Sequence, residues 1–173
     1  MRRIIAALAV VAVVLLVLIV TVNRPPDALP AGTRADRVLV SKSAHSLTLF
    51  VGNRPFKTYK VALGRGPGNA KHREGDHETP EGLYAIDAQN PHSRFHRALH
   101  VSYPNTRDRE NAKAQGVLPG GDIMVHGVGR GLGWLGTLQH HLDWTDGCIA
   151  LTNPEMDQLW ELVPVGTPIE IRH

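Results

Sequence analysis

Between Ile4 and Val22 the chain runs for 19 residues without a charge, a glycine or a proline, and its only hydroxyl is that of Thr21. As a helix rising about 1.5 Å per residue, this run reaches roughly 28 Å, close to the hydrocarbon thickness of a bilayer. A cleaved signal peptide carries a shorter apolar region, about 7 to 15 residues, and then a small-x-small site. Here Asn23-Arg24-Pro25-Pro26 follows instead. Residues 1–23 are therefore expected to form an uncleaved membrane anchor. Arg2 and Arg3 should stay on the cytoplasmic side, which puts the remainder in the periplasm or another extracytoplasmic space. Residues 24–35, with Pro25, Pro26, Pro30 and Gly32, read as a tether, and 36–173 as one domain.

The net charge of +3 comes partly from this leader. With Arg2 and Arg3 set aside, the 19 basic and 16 acidic side chains fall nearly into balance, and the three Phe, three Trp and three Tyr are scattered. No basic block with interleaved aromatics is present, which argues against a nucleic-acid partner.

The domain reads as mainly β. Arg37–Ser41, Ser46–Val51 and Phe56–Leu63 are short alternating runs, and Gly52-Asn53-Arg54-Pro55 supplies turn chemistry, so three consecutive antiparallel strands are expected. Further strands are expected at Leu83–Asp87, Ala98–Tyr103, Ile123–Gly127 and Thr167–Arg172. Thr106–Gln115, capped by Gly116, should be a short exposed helix. A second helix should start with Asn153 as N-cap and Pro154 in the first helical position, burying Met156, Leu159, Trp160 and Val163. The stretch Gly64–Gly82 is too long for a hairpin loop. Its Gly64-x-Gly66-x-Gly68 spacing lacks the Lys-Ser/Thr of a phosphate loop. Gly127–Gly136 holds five glycines and could lie along a substrate or act as a lid, with Trp134 and Leu135 as apolar contacts.

Cys148 is the sole cysteine, so it has no internal disulfide partner. Outside the cytoplasm an unpaired thiol is an oxidation liability, and one that is kept is expected to be used. Gly147 before it lets the backbone approach a bound group, and Ile123–Gly127 delivers His126 at a strand end. A thiol with a histidine is the minimum set for nucleophilic acyl transfer. The plain alternative is a small buried cysteine with no chemistry.

The stretches Thr145-Asp146-Gly147-Cys148, Pro119-Gly120-Gly121-Asp122-Ile123-Met124-Val125-His126-Gly127 and Thr79-Pro80-Glu81-Gly82-Leu83-Tyr84 together resemble the L,D-transpeptidase catalytic domain family (YkuD-like) of bacterial cell-wall enzymes. The resemblance runs from about Arg37 to Ile171. The common form of the family has His between Ser/Thr and Gly and an Arg two residues after Cys. Asp146 and Ala150 stand at those positions, as in the YafK-like branch, some members of which hydrolyse.

The resemblance implies a β-sandwich or barrel-like domain with one or two short helices. It also implies a peptidoglycan tetrapeptide stem as donor, cut between the L-centre of its third residue and the terminal D-Ala. Cys148 would attack as a thiolate with His126 as base, an imidazolium nearby lowering the thiol pKa. The Gly127 carbonyl would fix the histidine tautomer, and the N–H groups of Gly147 and Cys148 would stabilise the oxyanion, at about 3 kcal/mol each. Asp146 is the alternative orienting group. An amine acceptor gives a crosslink; water gives carboxypeptidase or endopeptidase activity. No cofactor or metal is expected, and the chain is expected to be a monomer.

Two competing readings remain. One is a peptidoglycan-binding module with an inert Cys148, which would alkylate slowly. The other is a zinc hydrolase using His126, His140 or His141 with Cys148; His92, His96 and His100 are a further ligand set only if that segment is helical.

Overall fold

The computed structural model describes residues 2–129 and 131–173. The apolar run forms helix α1 (Arg2–Val22), long and apolar enough to span a membrane, with none of its residues buried in the domain.

Strands β1 (Arg37–Ser41), β2 (Ser46–Val51) and β3 (Arg54–Lys60) form the expected antiparallel meander. Alternation sets the register: Val38 lies opposite Leu49 and Val40 opposite Leu47, so all four side chains enter the core together. Strand β4 (Gly82–Asn90) has a register shift between Ile86 and Ala88. Its first half pairs with β8 (Pro168–Arg172) and its second with β5 (Ala98–Val101), so one bulged strand joins the two halves of the sheet. Strands β6 (Met124–His126) and β7 (Ile149–Ala150) follow, giving the order β3-β2-β1-β8-β4-β5-β6-β7. Among the described strands, β1–β8 and β6–β7 are the parallel pairs.

The third strand ends three residues before the expected Leu63, because the chain leaves β2 and crosses to the far edge of the sheet. Ala62 and Ala150 exchange both backbone hydrogen bonds, at 3.0 and 2.8 Å, and Leu63 O accepts from Thr145 N at 3.2 Å. The sheet therefore curls towards closure, and its two edges meet beside β7.

Helix α2 (Thr106–Ala114) begins with a reciprocal Asn105–Asp108 capping box and is followed by Gly116 at φ +67°. Helix α3 (Asn153–Leu162) buries Met156, Leu159 and Leu162 in the core. Its N-cap is Thr152, not Asn153: Thr152 and Glu155 form the capping box, and Pro154 sits one position later than expected. The stretch 24–35 does not hang free. Asp27 O accepts from Gln158 Nε2 at 2.8 Å, Leu29 packs on the core, and Ala35 N donates to Leu162 O at 2.8 Å.

The segment 64–81 has little regular structure and is held by buried charges. Lys42 Nζ reaches in from the end of β1 to the carbonyls of Asn69 and Thr79 and to Glu81 Oε1, the last at 2.9 Å. Glu78 accepts from Gly68 N at 3.2 Å and Asn69 N at 3.0 Å. An internal carboxylate thus takes the amides that a phosphate would need, which leaves Gly64-x-Gly66-x-Gly68 as a structural turn. Burial alone would raise the Asp76 pKa, but Lys71 Nζ at 2.8 Å and the N–H groups of Arg73, His72 and Glu78 outweigh it and hold the pKa to about 2. The stabilisation is present above the ordinary pKa of 3.8 and is lost as pH falls through 2. Asp76→Asn should cost roughly 1 to 2 kcal/mol, after allowance for solvent at the loop surface. The loss should appear in urea melts at pH 7 and vanish near pH 2.

Candidate active site

The parallel pairing of β6 and β7 sets Val125 opposite Ile149 and His126 opposite Ala150. Cys148, one residue before β7, therefore falls level with Met124. It lies on the same face as His126, two positions along the neighbouring strand, a backbone separation of roughly 8 Å from strand spacing and rise. Both residues line one cavity of about 610 Å³, with Asn90, Arg94, Phe95, Asp122, Trp144 and Thr145 among its walls.

The His126 ring is held on several sides. Phe95 stacks on it at 4.5 Å between centroids and 25° between planes, Trp144 meets it edge-on at 5.7 Å, and only 2% of the residue is exposed. Nδ1 donates to Gly127 O at 2.6 Å. That bond selects the tautomer in which Nε2 carries a free lone pair, the form a general base requires. Asn153, released from capping α3, accepts from Val128 N at 2.7 Å through Oδ1 and fixes the backbone just after Gly127.

On the thiol side, Thr145 is the organising residue. Its Oγ1 donates to Cys148 O at 2.7 Å and accepts from Gly147 N at 3.2 Å, closing a tight turn. Gly147 has φ +118°, and a Cβ there would come within 2.5 Å of Glu78 O, so only glycine fits. Its N–H is spent on Thr145, so of the two expected oxyanion donors the Cys148 N–H is the one left. The Cys148 thiol is half-buried, and its hydrogen bond goes to Asp122 O at 3.6 Å. Asp122, at φ +54° after the Pro119-Gly120-Gly121 turn, aims that carbonyl at the sulfur.

Burial works against the expected thiolate–imidazolium pair. Burial lowers the His126 pKa, with the Gly127 bond opposing and Arg94 adding to the fall. Burial raises the Cys148 pKa, only partly offset by the Met124 N–H. Both shifts favour the neutral forms. A slow alkylation at neutral pH is therefore compatible with either an active or an inert thiol, and it does not discriminate between them.

Asp146 turns away from the histidine. Its Oδ1 lies 2.8 Å from both Arg65 Nη2 and His77 Nδ1, with the side chain 73% exposed. The orienting role on His126 belongs by geometry to the Gly127 carbonyl. The other histidines disperse as well: His96 pairs with Asp157, His100 with Asp87, and His140 Nε2 lies 3.6 Å from Glu155. The His92–His100 stretch is not helical. Among the described residues no three His, Cys, Asp or Glu side chains converge as a metal site.

Nor do the described residues of the glycine-rich loop after His126 cover the cavity. They and the 3-10 segment Gly133–His141 that follows are absent from the cavity walls. The sequence singles out Thr145 but not its two hydrogen bonds, and it singles out neither Phe95 nor Arg94. The Thr-x-Gly-Cys spacing carried the signal for Thr145, whereas Arg94 and Phe95 sat in a stretch read only for its histidines.

The comparisons agree with this geometry. Residues 35–171 match the profile of the YkuD L,D-transpeptidase catalytic domain. YafK of Escherichia coli (strain K12), provisionally named an L,D-transpeptidase, is 29% identical over 110 residues, covering 62% of this chain and 36% of YafK. The helical cell shape determining protein Pgp2 of Campylobacter jejuni superposes with a TM-score of 0.61 at 26% identity, over 82% of this chain and 49% of Pgp2. Bd1075 of Bdellovibrio bacteriovorus shares the fold, with a TM-score of 0.58 at 24% identity, over 86% of this chain and 51% of that one. The chain thus spans between about a third and a half of these relatives. With the profile covering most of its length and the curled sheet matching theirs, the chain belongs to the YkuD family of L,D-transpeptidase catalytic domains.

Proposed function

We propose that the domain is a cysteine-dependent L,D-transpeptidase acting on peptidoglycan stem peptides outside the cytoplasm, held to the membrane by residues 4–22. The observation that carries this reading is the pairing of Cys148 and His126 on one face of β6 and β7, with the histidine Nδ1 committed to Gly127 O.

Burial favours the neutral forms of both groups, and the order of events in this reading follows from that. As the sulfur attacks the carbonyl carbon of the donor's third residue, its proton passes to His126 Nε2, so neither group has to be charged in its buried resting state. The Cys148 N–H faces the developing oxyanion. Collapse of the tetrahedral intermediate breaks the bond to D-Ala, whose amine takes the proton back from His126, leaving a thioester. An acceptor amine then attacks the thioester, giving up a proton to Nε2, and Cys148 leaves as the thiol. The cycle needs no metal or cofactor.

One observation favours a second outcome. The described residues of the loop after His126 do not line the cavity, and with no cover from them hydrolysis of the thioester would compete with the amine. Incubating the full-length protein in detergent with disaccharide tetrapeptide, with and without an acceptor stem, separates the two by mass. A ligated dimer supports transfer, D-Ala release with uptake of water supports hydrolysis, and neither product overturns the enzymatic reading. Asp146→Asn should change turnover by no more than about threefold, since its partners are Arg65 and His77. A loss of a hundredfold would return Asp146 to the catalytic set.

A further inference from the structure

The end of α1 is not separated from the domain. Asn23 Nδ2 donates to Trp134 O at 2.8 Å as well as to Ile19 O at 2.9 Å, which ties the last turn of the helix to the 3-10 segment Gly133–His141. The approach is close enough that a Cβ on Gly136, at φ +49°, would collide with the Val22 carbonyl. The segment that follows the active-site histidine is therefore seated at the point where the apolar helix ends.

That segment presents apolar side chains outward. Leu132 is 51% exposed, Trp134 57%, Leu138 39% and Leu142 74%. Leu132, Leu138 and Leu142 border an apolar cleft of about 380 Å³, whose walls also include Leu135 and Val128. Four exposed large apolar residues within eleven positions are left uncovered by the described residues of the domain, and such a patch marks an interaction site. Phe95 and Trp144 wall both this cleft and the cavity that holds Cys148 and His126.

We propose that this face rests on the membrane that α1 spans, with Trp134, Leu138 and Leu142 entering the acyl-chain margin of the outer leaflet. The geometry selects this occupant. A helix that crosses the bilayer leaves it at Val22, and whatever is bonded to Val22 and Asn23 lies at the depth of the headgroups. Trp and Leu beside a helix exit are suited to that depth, where an indole keeps one edge apolar and one edge wet. Arg24, just past the exit, is exposed. The consequence is a catalytic cavity held one side-chain layer from the membrane surface, which selects membrane-proximal substrate.

The inference rests on α1 being a retained anchor, and the experiment keeps the two apart. The full-length protein is reconstituted into phosphatidylcholine vesicles carrying bromine on the upper acyl positions, and tryptophan emission is compared with that in unbrominated vesicles. Emission should fall in the brominated vesicles, and Trp134→Phe should remove more than half of that fall, because Trp144 and Trp160 belong to the domain body. Leu138→Glu with Leu142→Glu should at least halve the quenching while far-ultraviolet circular dichroism stays unchanged. Protein that floats with the vesicles but shows no bromine quenching, with Trp134 open to aqueous acrylamide, overturns the seating and leaves the anchor standing. Protein that does not float overturns both.

Discussion

Replacing Cys148 with alanine should lower product formation from a tetrapeptide donor by about a thousandfold or more, to the level of residual binding and polarisation. The argument is one of chemistry and not of fold. The thiol donates one weak hydrogen bond, to Asp122 O at 3.6 Å, and the backbone that positions it is held independently by Thr145. Exchange of a thiol for a hydrogen at this half-buried position should therefore cost less than about 1 kcal/mol of stability. A thermal melt within a few degrees of wild type, beside a collapse in turnover, is the expected combination. Turnover that survives in Cys148→Ala would end the covalent cysteine mechanism.

The second large effect belongs to His126. Asparagine at this position can still donate to Gly127 O but has nothing at Nε2, so it keeps the local backbone bond and removes the base. The rate of thioester formation should fall by about 10²- to 10⁴-fold, the usual worth of a positioned general base. Combined with Cys148→Ala it should cost little more than either change alone, because the two groups act on one proton.

The pH profile supplies a separate check. Burial lowers the His126 pKa, so the base stays neutral and competent below the ordinary value of 6.5, and the acid limb of kcat/KM should lie on the acid side of that value. Burial also raises the thiol above its ordinary 9.0, so the neutral pair persists through the physiological range. For stability the sign follows from proton uptake. Below pH 6.5 the unfolded chain binds a proton at this histidine that the folded chain excludes, so stability falls as pH drops through that window. His126→Asn should flatten that slope in urea melts between pH 7 and 5. An acid limb at or above 6.5 in wild type would contradict the neutral-pair account.

Where physics is local, the sequence is a faithful guide. The apolar run from Ile4 to Val22, the β1–β2–β3 alternation and the α2 cap all depend on residues within one turn or one hairpin of each other. The α3 cap shows the limit of such reading: Thr152 and Asn153 are both good caps, and the choice fell to Thr152 because Glu155 completes its box while Asn153 is drawn to Val128 N in another loop. The end of β3 shows it again, since Ala62 pairs with Ala150 across the curled sheet.

The candidate site divides in the same way. The Thr-x-Gly-Cys and His-Gly spacings by themselves determined which thiol and which imidazole to consider, since nucleophile and base are fixed by side-chain chemistry. Tertiary structure alone decided that both face one cavity, that Gly127 O and not Asp146 orients the ring, and that Gly147 N–H is taken by Thr145. It also decided that burial shifts both reacting groups towards their neutral forms. These are consequences of burial and of contacts between segments far apart in the chain, and no local pattern of residues encodes the dielectric or the partner that folding will bring.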